Sequence, residues 1–128
     1  MKMITVAFDI DGTLRNSLCD QDKAPVANED VRSLLIFLSR FKNILIHVWS
    51  GAGELYARQV VQSFGLSEYV DSYSSKVDKV IKGEFVQTAD FKPDIAIDDI
   101  EDCKLGEFNL IVAKEHKHDL PKDDPKAK

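Results

Sequence analysis

The sequence predicts an α/β domain on a mostly parallel sheet, and three observations carry that expectation. Apolar, β-branched runs (Ile4 to Phe8, Asn43 to Trp49, Asp94 to Ile97) alternate with segments of helical periodicity. The runs are apolar almost throughout rather than at every second position, which suits strands buried on both faces. Several of them end abruptly in acidic or small polar residues, where a parallel sheet turns towards its next crossover. Right-handed crossovers would put helices on both faces, giving three α/β/α layers.

Taken in order, strand one closes with Val6-Ala7-Phe8-Asp9-Ile10-Asp11-Gly12-Thr13-Leu14. Strand alternation starts Asp9 and Asp11 on the same side, and Gly12 permits a sharp turn and close approach to a ligand. Arg15 to Ala27 is polar and lacks apolar periodicity, so it reads as a loop or small flap over the strand ends. Asn28 is a good helix N-cap, with Glu29 and Asp30 placed for the positive end of the helix dipole. Val31, Leu34, Leu35, Leu38 and Phe41 then recur at helical spacing, predicting a helix over Glu29 to Arg40. A second strand spans Asn43 to Trp49 and stops at Ser50-Gly51-Ala52-Gly53. The second helix is expected over Gly53 to Phe64, with Tyr56, Val60 and Phe64 on one face and Gly65 as its stop.

Tyr69 to Ser74 reads as a short strand followed by Lys76, and Val77, Val80 and Ile81 as one or two helical turns ended by Gly83. Asp94 to Ile97 is another buried strand, closed by Asp98-Asp99. Ile100 to Lys104 is expected as a short helix and Asn109 to Ala113 as the last strand. The domain is therefore read as residues 1–113, and 114–128 as a charged, flexible tail.

Composition sets bounds. A chain of 128 residues is one ordinary domain, and 44% hydrophobic with 30% charged residues is the balance of a globular, soluble protein. A net charge of −5 leaves no electrostatic footprint for nucleic acid or an anionic membrane. Met1-Lys2-Met3 runs straight into strand one without room for a signal peptide, and no apolar run approaches a membrane span. Cys19 and Cys103 lack metal-type spacing and are expected as reduced thiols. The expectation is a cytoplasmic protein.

In parallel sheets ligands bind beyond the carboxyl ends of the strands. Those ends carry Asp9 and Asp11, then Ser50-Gly51, then Lys76, then Asp98-Asp99, and each of these suits phosphate or a hard cation. Ser50 reads equally well as a cap of the second helix, and either Asp98 or Asp99 as a cap of the helix after it. Thr13 reads as a turn residue or as a support behind the acids. Trp49, beside Ser50, and His47, inside the strand, are expected to pack rather than react. His116 and His118 belong to the charged tail.

These four stretches, led by Asp9-Ile10-Asp11-Gly12-Thr13, resemble in order the four motifs of the haloacid dehalogenase superfamily, whose first motif is DxDGT. The resemblance covers about residues 3–113. It implies a Rossmann-like domain and a Mg²⁺-dependent phosphatase acting through an aspartyl-phosphate. In that pattern Asp9 is the nucleophile and Asp11 the general acid and base. The metal is held by the Asp9 carboxylate, the Asp11 backbone carbonyl and an acid of the fourth motif. Asp99 is favoured for direct contact, with Asp98 acting through water or behind it. Ser50, Gly51 and a basic residue bind the phosphate. Lys76 is favoured for that role because it follows a strand, with Lys79, Lys82 and Lys92 also nearby.

The gaps between these motifs hold only a short flap and then one helix and a strand, so the chain looks capless, with an open site. Such a site suits a large phosphorylated substrate, a polymer end or a protein, or a small one covered by a second subunit. Dehalogenases of the superfamily lack the second acid, so Asp11 points to phosphate esters. The rivals are a catalytically silent phosphate- and Mg²⁺-binding regulatory module and an unrelated response-regulator-like domain. The pairing of both acids on one strand argues against the latter.

Overall fold

The strands and helices of the computed structural model follow the order β1 (Ile4–Phe8), α1 (Glu29–Leu38), β2 (Ile44–Ser50), α2 (Glu54–Ser63), a 3-10 turn (Ser67–Tyr69), β3 (Ser72–Ser75), β4 (Lys79–Ile81), β5 (Glu84–Val86), β6 (Ile95–Asp98) and β7 (Phe108–Ile111). The structure describes residues 1–18, 23–76, 79–81, 84–86, 91–101, 104–112 and 120–123. Five strands form one sheet in the order β3-β2-β1-β6-β7, and every pairing in it is parallel. The fold is α/β, as the apolar runs predict.

The helices begin and end for local reasons. Asn28 accepts a hydrogen bond from the Val31 amide and caps α1, which starts with Glu29 and Asp30 at its positive end. α2 ends at Gly65, whose φ of 70° lets the chain reverse while the Leu66 amide reaches back to the Val61 carbonyl. The Phe64 carbonyl at the same end accepts from Arg32 Nε on α1 at 3.0 Å, which ties the two helices together.

Both helices pack on one face of the sheet. Val6 and Phe8 on β1 pair with Ile46 and Val48 on β2, and these join Val31, Leu35, Ala57, Val60, Val61 and Phe64 in one apolar core. Consecutive crossovers that step in the same direction, β1 to β2 to β3, land on one face when they share a hand. The opposite face presents His47 and Trp49, covered by Phe91, whose ring centroid lies 4.3 Å from that of His47 and 5.6 Å from that of Trp49. The coarse architecture is thus a parallel sheet with its described helices on one side, not on both.

Two expected helices are not found among the described residues. Lys79–Ile81 is a strand paired antiparallel with Glu84–Val86, because Val80 and Ile81 are β-branched and a partner strand follows within two residues. Ile100, Glu101 and Lys104 are not helical. The third strand begins at Ser72 because Ser67–Tyr69 closes into a 3-10 turn. Val77, Gly83, Cys19, Cys103, Ala113, His116 and His118 lie outside the described residues. Leu120, in the expected tail, is buried.

His47 and Trp49 pack as expected. The His47 ring is buried, with Nδ1 2.6 Å from Ser72 Oγ and Nε2 2.8 Å from Ser74 Oγ. Loss of solvent lowers its pKa from 6.5 to about 4. The unfolded chain therefore takes up a proton near pH 6.5 that the folded chain refuses until about pH 4. The stability from neutral His47 is present above pH 6.5 and is lost as the pH falls through that window. Denaturant melts should show about 2 kcal/mol less stability at pH 5 than at pH 7 from this residue, and His47→Gln should flatten that slope.

Candidate functional site

Parallel pairing brings the carboxyl ends of β1, β2, β3 and β6 to one edge, and the backbone ladder holds the residues just past them. The Asp9 amide donates to the Ile97 carbonyl at 3.0 Å, and the Lys76 amide to the Ser50 carbonyl at 3.0 Å. Asp9 thus stays beside β6, and Lys76 stays beside β2, although each has left its own strand.

Three acids and one lysine meet there. Lys76 Nζ lies 3.1 Å from Asp9 Oδ1 and forms a close ion pair with Asp98 Oδ2. All three groups are buried, with Asp98 fully so. Asp98 Oδ1 accepts from the amides of Asp99 (2.8 Å) and Ile100 (3.1 Å), which accounts for both of its oxygens. Thr13 Oγ1 donates to Asp9 Oδ2 at 3.3 Å from a fully buried position. One carboxylate oxygen from each of Asp9, Asp98 and Asp99 lies within 4.8 Å of the other two.

Burial pushes the Asp9 carboxyl from 3.8 up to about 7; Lys76 opposes the shift, and Asp98 and Asp99 reinforce it. Burial works against the Lys76 ammonium, but the charges of Asp9 and Asp98 outweigh it and hold its pKa above the usual lysine value. Desolvation raises Asp99 as well, followed by its hydrogen bond to Asp98 and the Asp98 charge. A single lysine does not neutralise three neighbouring acids. Three carboxylate oxygens within 4.8 Å of one another are a donor set of the kind a hard metal ion takes. The cluster can hold one.

The loop after Asp9 is as specific as the acids. Gly12 has φ of 81°, and a Cβ there would run into the Asp99 carboxylate. Its amide donates to the Arg15 carbonyl, while the Thr13 and Arg15 amides both donate to the Ile10 carbonyl. Glycine at this position therefore brings the loop against Asp99.

Other expected residues fall around this centre. Asp11 is exposed and lies outside the three-acid cluster: β1 ends at Phe8 and Ile10 is already in a turn, so strand alternation does not extend to Asp11. Its Oδ1 accepts from the Tyr56 hydroxyl at 2.7 Å and lies 3.8 Å from Arg15 Nη1. Ser50 is buried, and its Oγ accepts from the Ala52 amide at 3.0 Å within the turn before α2, while its own O–H hydrogen remains a donor. The N-cap of α2 is Gly53, with no side-chain cap, so Ser50 does not cap that helix. Gly51 is exposed, with open space where a Cβ would stand. Among the four candidate lysines, the structure brings Lys76 to Asp9. Lys92 is exposed and 3.9 Å from Glu107; Lys82 and the Lys79 side chain lie outside what is described.

Arg15 and Tyr56 are functional candidates that sequence reasoning passed over. Arg15 reads as part of a polar flap, yet its side chain is only 3% exposed. Tyr56 reads as a core position, and its face with Val60 is indeed buried, but a tyrosine also needs somewhere to send its hydroxyl. That need was the available signal.

Comparison with protein-family models, with curated proteins and with solved structures finds no match to this chain. No described helix is long and apolar enough to cross a membrane.

Two outcomes test the site. Asp9 loses stability as the pH rises from 3.8 towards 7, because its folded-state pKa is the higher one. In chelator at pH 8, Asp9→Asn should therefore melt above the wild type, by about 5 °C, and gain less from added Mg²⁺. Gly12→Ala should cost about 1–2 kcal/mol for its left-handed backbone alone. By displacing Asp99 it should also weaken metal binding, measured by calorimetry.

Proposed function

We propose that this protein is a Mg²⁺-dependent phosphatase that hydrolyses phosphate monoesters through an aspartyl-phosphate on Asp9. One observation carries the reading: Asp9, Lys76, Asp98 and Asp99 converge at the carboxyl edge of a parallel sheet, with a further acid, Asp11, two residues from Asp9. The resemblance of the same residues to the haloacid dehalogenase motifs supports it. The finer calls go with the proposal: a Rossmann-like domain, cytoplasmic, without a cap.

Asp9 and Asp99 would hold the metal with the Asp11 backbone carbonyl, and Asp98 stands behind them, its oxygens engaged by two amides and Lys76. The metal, when bound, cancels repulsion between the phosphate and the carboxylates. An Asp9 carboxylate oxygen attacks phosphorus, the ester P–O bond breaks, and Asp11 passes its proton to the leaving oxygen. Water then attacks the aspartyl-phosphate and gives its proton to Asp11. Phosphate leaves, and the Asp9 carboxylate is restored. Lys76 supports this cycle by stabilising Asp9 as a carboxylate, and the Ser50 hydroxyl and Gly51 amide bind phosphate oxygens beside the α2 N-terminus. The exposure of Asp11 suits an open site and a large phosphorylated substrate, or a small one covered by a second subunit. The acidic net charge does not favour nucleic acid as that substrate.

Phosphate release from aryl, nucleotide, oligonucleotide and phosphopeptide esters tests the reading. Turnover should need Mg²⁺, stop reversibly in chelator and vanish in Asp9→Asn while the fold persists. Mg²⁺ binding with no turnover of any ester would favour the silent regulatory module instead.

A further inference from the structure

The Asp11 carboxylate is open to solvent, its side chain being 49% exposed. An exposed aspartate samples several rotamers, whereas proton transfer needs one oxygen held towards the reacting atom. Two groups from different elements address the same oxygen. The Tyr56 hydroxyl, from the first turn of α2, donates to Asp11 Oδ1 at 2.7 Å, and the buried Arg15 guanidinium stands 3.8 Å from that oxygen. Arg15 is itself anchored by main-chain hydrogen bonds to Ile10 and Gly12. Among the described residues, Oδ2 has no such partner.

We infer that Tyr56 is a positioning residue: by holding Oδ1 of Asp11, with Arg15 behind the same oxygen, it leaves Oδ2 to exchange the proton. This inference rests on the phosphatase reading. The division of labour between the oxygens works in both halves of the cycle. With Asp11 protonated on Oδ2, Oδ1 is the carbonyl oxygen and still accepts from Tyr56; with Asp11 ionised, Oδ1 accepts as before. The carboxyl group therefore gives a proton to the leaving alkoxide and takes one from water without releasing its support. Tyr56 itself transfers no proton. The placement also couples α2, which follows the phosphate-binding turn at Ser50-Gly51, to the acid on the loop after β1.

Tyr56→Phe removes only the hydroxyl and keeps the ring against the core. The test compares kcat/KM, which reports phosphoryl transfer to Asp9, for an activated aryl phosphate and for a simple alkyl phosphate. The aryl leaving group departs as a stable anion, whereas the alkyl one needs the proton. In Tyr56→Phe the alkyl value should fall by about tenfold or more, carried by kcat rather than KM, and the aryl value by much less. Asp11→Asn should show the same selectivity more strongly.

Equal losses on both esters, or a matching drop in melting temperature, would reduce Tyr56 to a structural role and overturn the inference. Unchanged kinetics on both would do the same. Each of these outcomes leaves the phosphatase reading standing, because wild type still turns over. Absence of wild-type turnover on every ester would overturn that reading, and this inference with it.

Discussion

The ion pairs of Lys76 with Asp9 and Asp98 are the interaction on which the rest of the site depends. Two buried carboxylates at adjacent strand ends, with Asp99 beside them, are expensive without a cation. Lys76 supplies one fixed charge to the pair, and burial makes that charge count for more than it would in water. The remaining imbalance shows in Asp9, which stays raised to about 7 despite its lysine. An excess of negative charge in a desolvated pocket is a standing demand for a second cation. The same excess that destabilises the metal-free chain is therefore what would bind a metal.

That arrangement is only available because the sheet is parallel. Antiparallel neighbours would send alternate strand ends to opposite edges. Here β1, β2, β3 and β6 all deliver their carboxyl ends to one edge, and the ladder extends one residue past β1 and past β3, at Asp9 and at Lys76. The acids are therefore placed by main-chain hydrogen bonds, and their side chains need little further support. Asp98 is the extreme case, fully buried with every oxygen engaged. Asp11 is the opposite case. It sits beyond the ladder, on a turn, and relies on two side chains from elsewhere for its orientation.

The fold was legible where hydrophobicity is nearly continuous. Ile44–Ser50 and Ile95–Asp98 are apolar runs that have few other uses, and Asn28 followed by Glu29 and Asp30 marks the start of α1. Legibility failed where short segments are decided by their partners. Val77 to Ile81 carries a helical spacing in isolation, yet Lys79–Ile81 finds a strand to pair with and becomes β4. The face occupied by the described helices was not legible for a related reason. The order of strands across the sheet is not written in any one segment, and it is that order which carries α1 and α2 to the same side.

The sequence by itself determined the chemical inventory: two acids just before Gly12, a serine and glycine, a lysine and an acid pair, each close to the end of a strand. It also determined an α/β sheet, because runs of that apolarity must be buried on both faces. Only the tertiary structure decided which groups meet. It chose Lys76 as the partner of Asp9, separated Asp11 from the other acids, and brought Arg15 and Tyr56 to Asp11 from a loop and a helix. The reason is range: strand and turn preferences act over a few residues, whereas Lys76 and Asp9 are 67 apart in the chain and meet only through the pairing of β1, β2 and β3.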